Sequence, residues 1–324
     1  MSESRRSVSM APETSAVQEL ATSGRKHERP SAKGRLAPYL FIAPSVLFLA
    51  LTMLYPLLRG IQLSATDTSL LAPNAGSFIG GKNYVTILGS PTIGTAVLLT
   101  LVYAAISVAG ALGLGLVVAL VVNRQIRGRA LLRSLIILPW AAPPIAVALI
   151  FSWIFNNQYG VWNFLLERVG IIDQPVSWLD SPERALVAVL IVTIWMTFPI
   201  VALILLAALQ SVPADLYEAA RIDGADSLSV FGSVTWPGIR PTAYVVTLLL
   251  TIWALRRFDI LWVLTRGGPG NSTSTLVVRL YREAFENTNL GYAAAIGVVG
   301  VLLSIGVTAI YYVLTRRVER AEGE

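Results

Sequence analysis

The 324-residue sequence contains no cysteine and a single histidine, His27. Disulfide frameworks and thiolate metal sites are therefore excluded, and an imidazole-based metal site lacks donors. A Ser/His/Asp hydrolase fails for the same reason, because His27 lies in a polar N-terminal segment outside every apolar run. Charge is scarce as well. Only 14% of residues are charged, where a soluble domain carries about a quarter. Hydrophobic residues fill the space instead, at 55%, in blocks of roughly twenty rather than with the period of a surface helix. The pattern is that of an all-α polytopic membrane protein.

Six apolar runs are long enough to cross a bilayer: Pro38–Leu63, Gly94–Val122, Leu131–Phe155, Ala185–Leu209, Pro241–Leu264 and Leu290–Leu314. An even number places both termini on one side. Lysines and arginines number seven, four, two and three in the N-terminal tail, alternate connections and C-terminal tail, against one, two and three in the other loops. The richer side is expected to face the cytoplasm. The net charge of +6 thus reflects membrane topology rather than a nucleic-acid partner. Residues 1–37 read as a disordered cytoplasmic tail, not a cleavable signal peptide. Prolines 139, 143, 144 and 199 are expected to kink the third and fourth spans. Gly110, Gly113 and Gly115, with Gly297 and Gly300, are expected to let helices pack closely.

One connection is unlike the rest. Between the fourth and fifth spans, the segment from Pro213 to Pro241 carries Asp215, Glu218, Asp223 and Asp226. Pro213 suits a helix start, "ADLYEAARID" makes about three turns, and Gly224 ends them as a left-handed cap. Asp226 or Ser227 caps a second short helix, which Pro237 is expected to stop. Leu216, Ala219, Ala220 and Asp223 share a side by helical spacing, with small residues at its middle. On pattern alone, an interfacial amphipathic helix or a plain hairpin fits this segment equally well.

The spacing goes further. Glu218-Ala219-Ala220, three residues, Gly224, nine residues, then Val234-Thr235-Trp236-Pro237 resembles the signature of membrane subunits of binding-protein-dependent ABC importers. Valine and tryptophan replace the family's isoleucine and leucine. The segments "FIGGKNYVTIL", "LPWAAPPIAVALIFSWIFNNQYGVWNFLL" and "FDILWVLTRGGPGNSTSTL" are similar to permeases of the carbohydrate, maltose-transporter type. The resemblance implies a type I importer permease fold: a first helix and outer loop over 38–93, a five-helix domain over 94–314 with an elbow at 212–240, and a tail at 315–324. It implies that the elbow is a coupling helix docking on a separate ATPase. Glu218 would be its polar anchor, Ala219 and Ala220 close-contact positions and Gly224 the hinge, with Asp223 and Pro237 completing the docking set. It further implies a second, different permease chain, an ATPase dimer that binds ATP and magnesium, and an extracellular solute-binding protein; this chain would bind no cofactor.

Arg256, Arg257 and Asp259 fall inside the fifth apolar run. A charge at a bilayer centre costs about 2.5–3.5 kcal/mol or more, so these groups are expected to face a pathway or one another. Trp253, Phe258 and Trp262 surround them in sequence, and Trp195 lies on the fourth span. Aromatic faces beside polar groups suit sugar rings, and interface belts explain such aromatics equally well. The candidate pathway is therefore Trp195, Trp253, Arg257, Phe258, Asp259 and Trp262. By the resemblance, Arg266, Arg279 and Arg282 are candidate docking charges for the binding protein. "GSFIGGKN" nearly spells a phosphate-binding loop, but Asn83 replaces the magnesium-ligating hydroxyl. The expected function is translocation of a sugar or small oligosaccharide across the cytoplasmic membrane. The alternatives are an ion-coupled secondary transporter, or an importer of another solute such as a polyol or sugar phosphate.

Overall fold

Two adjacent prolines decide the shape of the third apolar run. In the computed structural model, which describes residues 32–124 and 128–322, α5 (Arg129–Ala141) stops short of α6 (Pro144–Ile154), and the two are bent by 94°. The cause is local. A residue before proline is pushed out of the helical region, and here Ala142 and Pro143 both precede one, with ψ of 142° and 130°. The expected kinked crossing is thus two separate helices meeting at this bend.

The remaining elements, numbered in chain order, are helices. α1 (Ala32–Leu49) continues through a π-turn at Ala50–Leu54 into α2 (Tyr55–Ser64). Nothing in its apolar window is buried, so this helix is apolar on faces that no protein covers. α3 (Lys82–Leu88) precedes α4 (Pro91–Asn123), which starts with the Ile93 amide donating to Ser90 and with Pro91 in the first turn. α7 (Val161–Arg168), α8 (Pro182–Ser211), α9 (Ala214–Ile222) and α10 (Ser227–Val230) follow. After a π-turn at Phe231–Thr235 come α11 (Trp236–Leu255), α12 (Asp259–Thr265), α13 (Leu276–Tyr281) and α14 (Leu290–Glu322). Among the described residues, five helical stretches are long and apolar enough to span a membrane, six if the bent α5–α6 pair counts as one. No strand occurs among the described residues. The tail over residues 1–31, with His27, and Arg127 lie outside the described residues.

Two further expectations are corrected. The fifth run is not one helix through Leu264: α11 ends at Leu255, and the chain resumes helical geometry only at Asp259. Pro237 does not stop the second elbow helix either. It sits in the first turn of α11, where its missing amide costs nothing. The π-turn just before it widens the backbone, with the Trp236 amide donating to Phe231, five residues back. An apolar span thereby runs on from Ser227 to Leu255.

The core is α4 against α8, with α11 and α12 packed on them. In lipid, helix association relies on close contact rather than on expelling water, so small residues dominate the seam. Ala104, Ala111 and Ala119 of α4 and Ala188 and Ala202 of α8 are all buried. A Cβ on Gly115 would lie 2.6 Å from Val201 Cγ1, and one on Gly110 would meet Ile194 at 2.4 Å. Gly297 packs on Leu280, whereas a Cβ on Gly113 or Gly300 would meet no atom of this chain within 4 Å. The Tyr103 hydroxyl and Thr193 Oγ1 hydrogen-bond at 2.9 Å across the same seam, both fully or nearly buried.

Candidate functional site

Two places carry the chemistry that the sequence singles out. The first is the elbow, α9 and α10. Its turn closes as a paired cap: the Gly224 amide donates to Arg221 and the Ala225 amide to Ala220, at 3.1 and 3.0 Å. Gly224 has φ +75°, a left-handed value that disfavours any side chain with a Cβ. The next helix starts with Asp226 accepting from the Ser229 amide at 2.9 Å. The Ser229 side chain, together with this amide bond, holds the Asp226 carboxyl below the usual aspartate value of 3.8.

The elbow's two faces differ. Tyr217 turns inward to the buried Thr235, whose hydroxyl donates to it at 3.4 Å. Glu218, Ala219, Asp223 and Gly224 are exposed, and Ala220 is half-buried. Beside them Leu216, Ile222 and Leu228 stand 50%, 85% and 81% exposed. The expected face of Leu216, Ala219, Ala220 and Asp223 therefore exists, with Ala220 at its inner edge. Ile222 and Leu228 extend it, and their apolar character beside a short polar helix could have flagged them.

The second place is a cavity of about 650 Å³ at the break between α11 and α12. Helix α11 ends because the Arg256 and Arg257 amides close short turns on Trp253 and Ala254, after which Phe258 leaves helical geometry. The break turns Arg256, Arg257, Phe258 and Asp259 into the cavity together with Trp253. Met196 and Thr197 of α8 and Trp140, Ala142 and Pro144 from the α5–α6 bend complete the lining. Arg257 Nη1 lies 3.8 Å from Asp259 Oδ2, a loose single contact. Arg257 Nε is buried without a hydrogen-bond partner, while Arg256 is exposed and bonds only its own helix carbonyl, at Ile252.

Of the six candidate pathway residues, four share this cavity: Trp253, Arg257, Phe258 and Asp259. Trp262 does not line it; it stacks on Phe258 and against Tyr281, with centroids 5.5 and 4.5 Å away. Trp195 opens on a separate groove with Leu135 and Pro139, against Phe151. Sequence reasoning missed Trp140, Met196 and Thr197, which reach the cavity only because the α5–α6 bend and α8 converge on the break. The nearby arginines are not equivalent. Arg279 pairs with buried Glu283 at 3.5 Å and Arg282 with Glu286 at 3.6 Å, whereas Arg266 is exposed and makes no ion pair among the described residues. Asn83, the mismatch in the phosphate-loop-like stretch, donates to the Ser64 and Thr66 carbonyls and so anchors the end of α2.

A bundle of broken spans around a polar cavity, with a capped elbow between two of them, defines a membrane permease. The family described as "Binding-protein-dependent transport system inner membrane component" matches residues 111–320. The chain is 37% identical to the "Sulfoquinovosyl glycerol transport system permease protein SmoG" of Agrobacterium fabrum, over 87% of this chain and 91% of that one. It is 36% identical to the "Trehalose/maltose transport system permease protein MalF" of Thermococcus litoralis, over 84% and 91%. Among solved structures, a permease chain of a bacterial ABC transporter for the acidic polysaccharide alginate has the same fold, with TM-score 0.76 and 21% identity over 88% of this chain and 96% of that one. The chain belongs to the inner-membrane permease family of binding-protein-dependent transport systems, and it is a multi-pass protein of the cytoplasmic membrane.

Proposed function

We propose that this chain is one of two permease subunits of an ATP-driven importer for a sugar or small oligosaccharide. The observation that carries the reading is the cavity at the α11–α12 break, where the aromatic faces of Trp140, Trp253 and Phe258 meet the hydrogen-bonding groups of Arg256, Arg257, Asp259 and Thr197. Sugars present both C–H faces and hydroxyls, and such a lining answers both. The names of the relatives, which include a trehalose/maltose permease, support the same class.

In this reading the termini and the elbow face the cytoplasm. The exposed Leu216–Ala219–Ile222 face of α9 docks into a cleft of an ATPase dimer, which binds ATP and magnesium. Glu218 and Asp223 supply polar contacts beside it, and Pro237 sets the direction in which α11 leaves the elbow. Closure of the ATPases on two such elbows rocks the permeases about the cavity. A second permease, a different chain, forms its other wall. An extracellular binding protein delivers the solute to the outer loops, where Arg266, exposed and without an ion pair among the described residues, is a candidate contact. No bond is made or broken in this chain.

The test is reconstitution of the permease pair with its ATPases and binding protein in liposomes. Sugar uptake is expected to require both ATP and the binding protein. Uptake driven by a proton or sodium gradient without ATP would instead establish an ion-coupled carrier.

A further inference from the structure

The three charged groups of the cavity do not balance. Arg256, Arg257 and Asp259 all line it, two cations against one anion. If their purpose were to neutralise one another inside an apolar bundle, one acid per base would be expected, because each uncompensated charge is costly there. Asp259 is committed to Arg257, at 3.8 Å. It also accepts from the Ile260 amide at 2.9 Å, so part of its charge is spent on the start of α12. Arg256 has no carboxylate within reach among the described residues, and it is exposed, lining both this cavity and a second groove with Ile252 and Leu280.

The geometry also leaves donors free. A guanidinium carries five N–H donors in a fixed fork. The Arg257–Asp259 contact uses one edge loosely and the Tyr103 hydroxyl takes a further donor, while Arg257 Nε remains buried and unbonded. Arg256 donates only through Nε, to Ile252 at 3.4 Å. The largely unfilled fork of Arg256, with the open Nε of Arg257 beside it in sequence, matches the planar or trigonal oxygens of a carboxylate, sulfonate or phosphate, which a lone ammonium would not orient. A cleft with low-dielectric walls and an excess of one sign concentrates ions of the other.

We infer that the cavity selects an anionic solute: a saccharide bearing a carboxylate, sulfonate or phosphate, with Arg256 and Arg257 as the specificity-determining residues. The inference rests on the saccharide reading for the ring, but the charge preference is tested without any sugar or nucleotide.

Because the chain contains no cysteine, Ala142→Cys and, separately, Thr197→Cys each place a single thiol on the lining. The assembled complex is treated with two methanethiosulfonate reagents of similar size, one ending in a sulfonate and one in a trimethylammonium. Rates are normalised to those of free 2-mercaptoethanol. Preference for the anionic reagent by roughly tenfold is expected at both positions, falling toward unity when Arg256→Gln is added. Equal rates, preference for the cation, a preference unmoved by Arg256→Gln, or no reaction at either position would each overturn the inference. The saccharide reading would then stand or fall on the uptake measurement alone.

Discussion

The elbow and the α11–α12 break are both short interruptions between apolar helices, yet they are built in opposite ways. The elbow is local. Its caps join residues within five positions of one another, its outer side is exposed, and among the described residues α9 packs chiefly on α10 and the adjacent π-turn. The break is tertiary. Its charged residues acquire meaning from α8 and from the α5–α6 bend, more than fifty residues away in sequence. A region held by its own backbone can be gripped and moved as a unit, while a region held by its neighbours senses their rearrangement. Transport needs one of each.

That contrast can be attacked from its strongest point downward. Gly224→Val should have the largest effect. A β-branched residue at φ +75° faces a backbone penalty of about 1–2 kcal/mol and has no tertiary contacts to offset it. ATP-dependent uptake should fall roughly five- to thirtyfold, at roughly 1.4 kcal/mol per decade, with insertion and thermal stability of the bundle unchanged. Loss of the folded bundle itself would mean that the elbow is not an independent unit.

Asp259→Asn comes next. Removing the carboxylate frees Arg257 and raises the cavity's positive charge without touching the elbow. Substrate affinity should change severalfold while ATPase association stays intact. If the association weakens instead, the two regions are not separable.

A packing pair sharpens the same point. Gly115→Val should destabilise the complex by about 1–3 kcal/mol through overpacking against Val201. Gly113→Val, facing open space, should leave the melting temperature within a degree or two of the parent. Equal effects would show that the α4–α8 seam is not as close as described.

The smallest effect belongs to Asp226. Its carboxyl is held below 3.8 by the Ser229 side chain and amide, so the folded elbow binds fewer protons than the unfolded one around that value. The cap's contribution is present at neutral pH and is lost as pH falls through the lowered native value. Amide exchange at Ser229 should therefore be steady from pH 7 to about 5, after correction for intrinsic exchange, and lose protection only below 3.8. In Asp226→Ala that protection should be absent at every pH.

The same contrast explains what the sequence could tell. Gly224, Asp226 and the spacing from Glu218 to Pro237 are local signals, and the elbow they describe is present in the fold. The sense of Pro237 was misread because a π-turn, which no single residue announces, lets the helix run through it. The break at Arg256 was read as continuous helix because hydropathy averages over three residues of non-helical backbone. The charged pair itself was visible, and the structure sets it in a cavity. Trp195 and Trp140 illustrate the remaining gap. Both are tryptophans on apolar helices, yet Trp140 lines the cavity beside the α5–α6 bend while Trp195 of α8 opens on a separate groove.

The central claim is that work done by a nucleotide-binding partner enters at the elbow from the cytoplasmic side. Ile222→Cys, 85% exposed at the edge of the proposed docking face in an otherwise cysteine-free chain, reports on it directly. A membrane-impermeant maleimide should label Cys at this position in inside-out vesicles stripped of ATPase subunits, and labelling should disappear when those subunits are added back. Labelling from the outside of intact cells, or labelling indifferent to the ATPase subunits, would contradict the account.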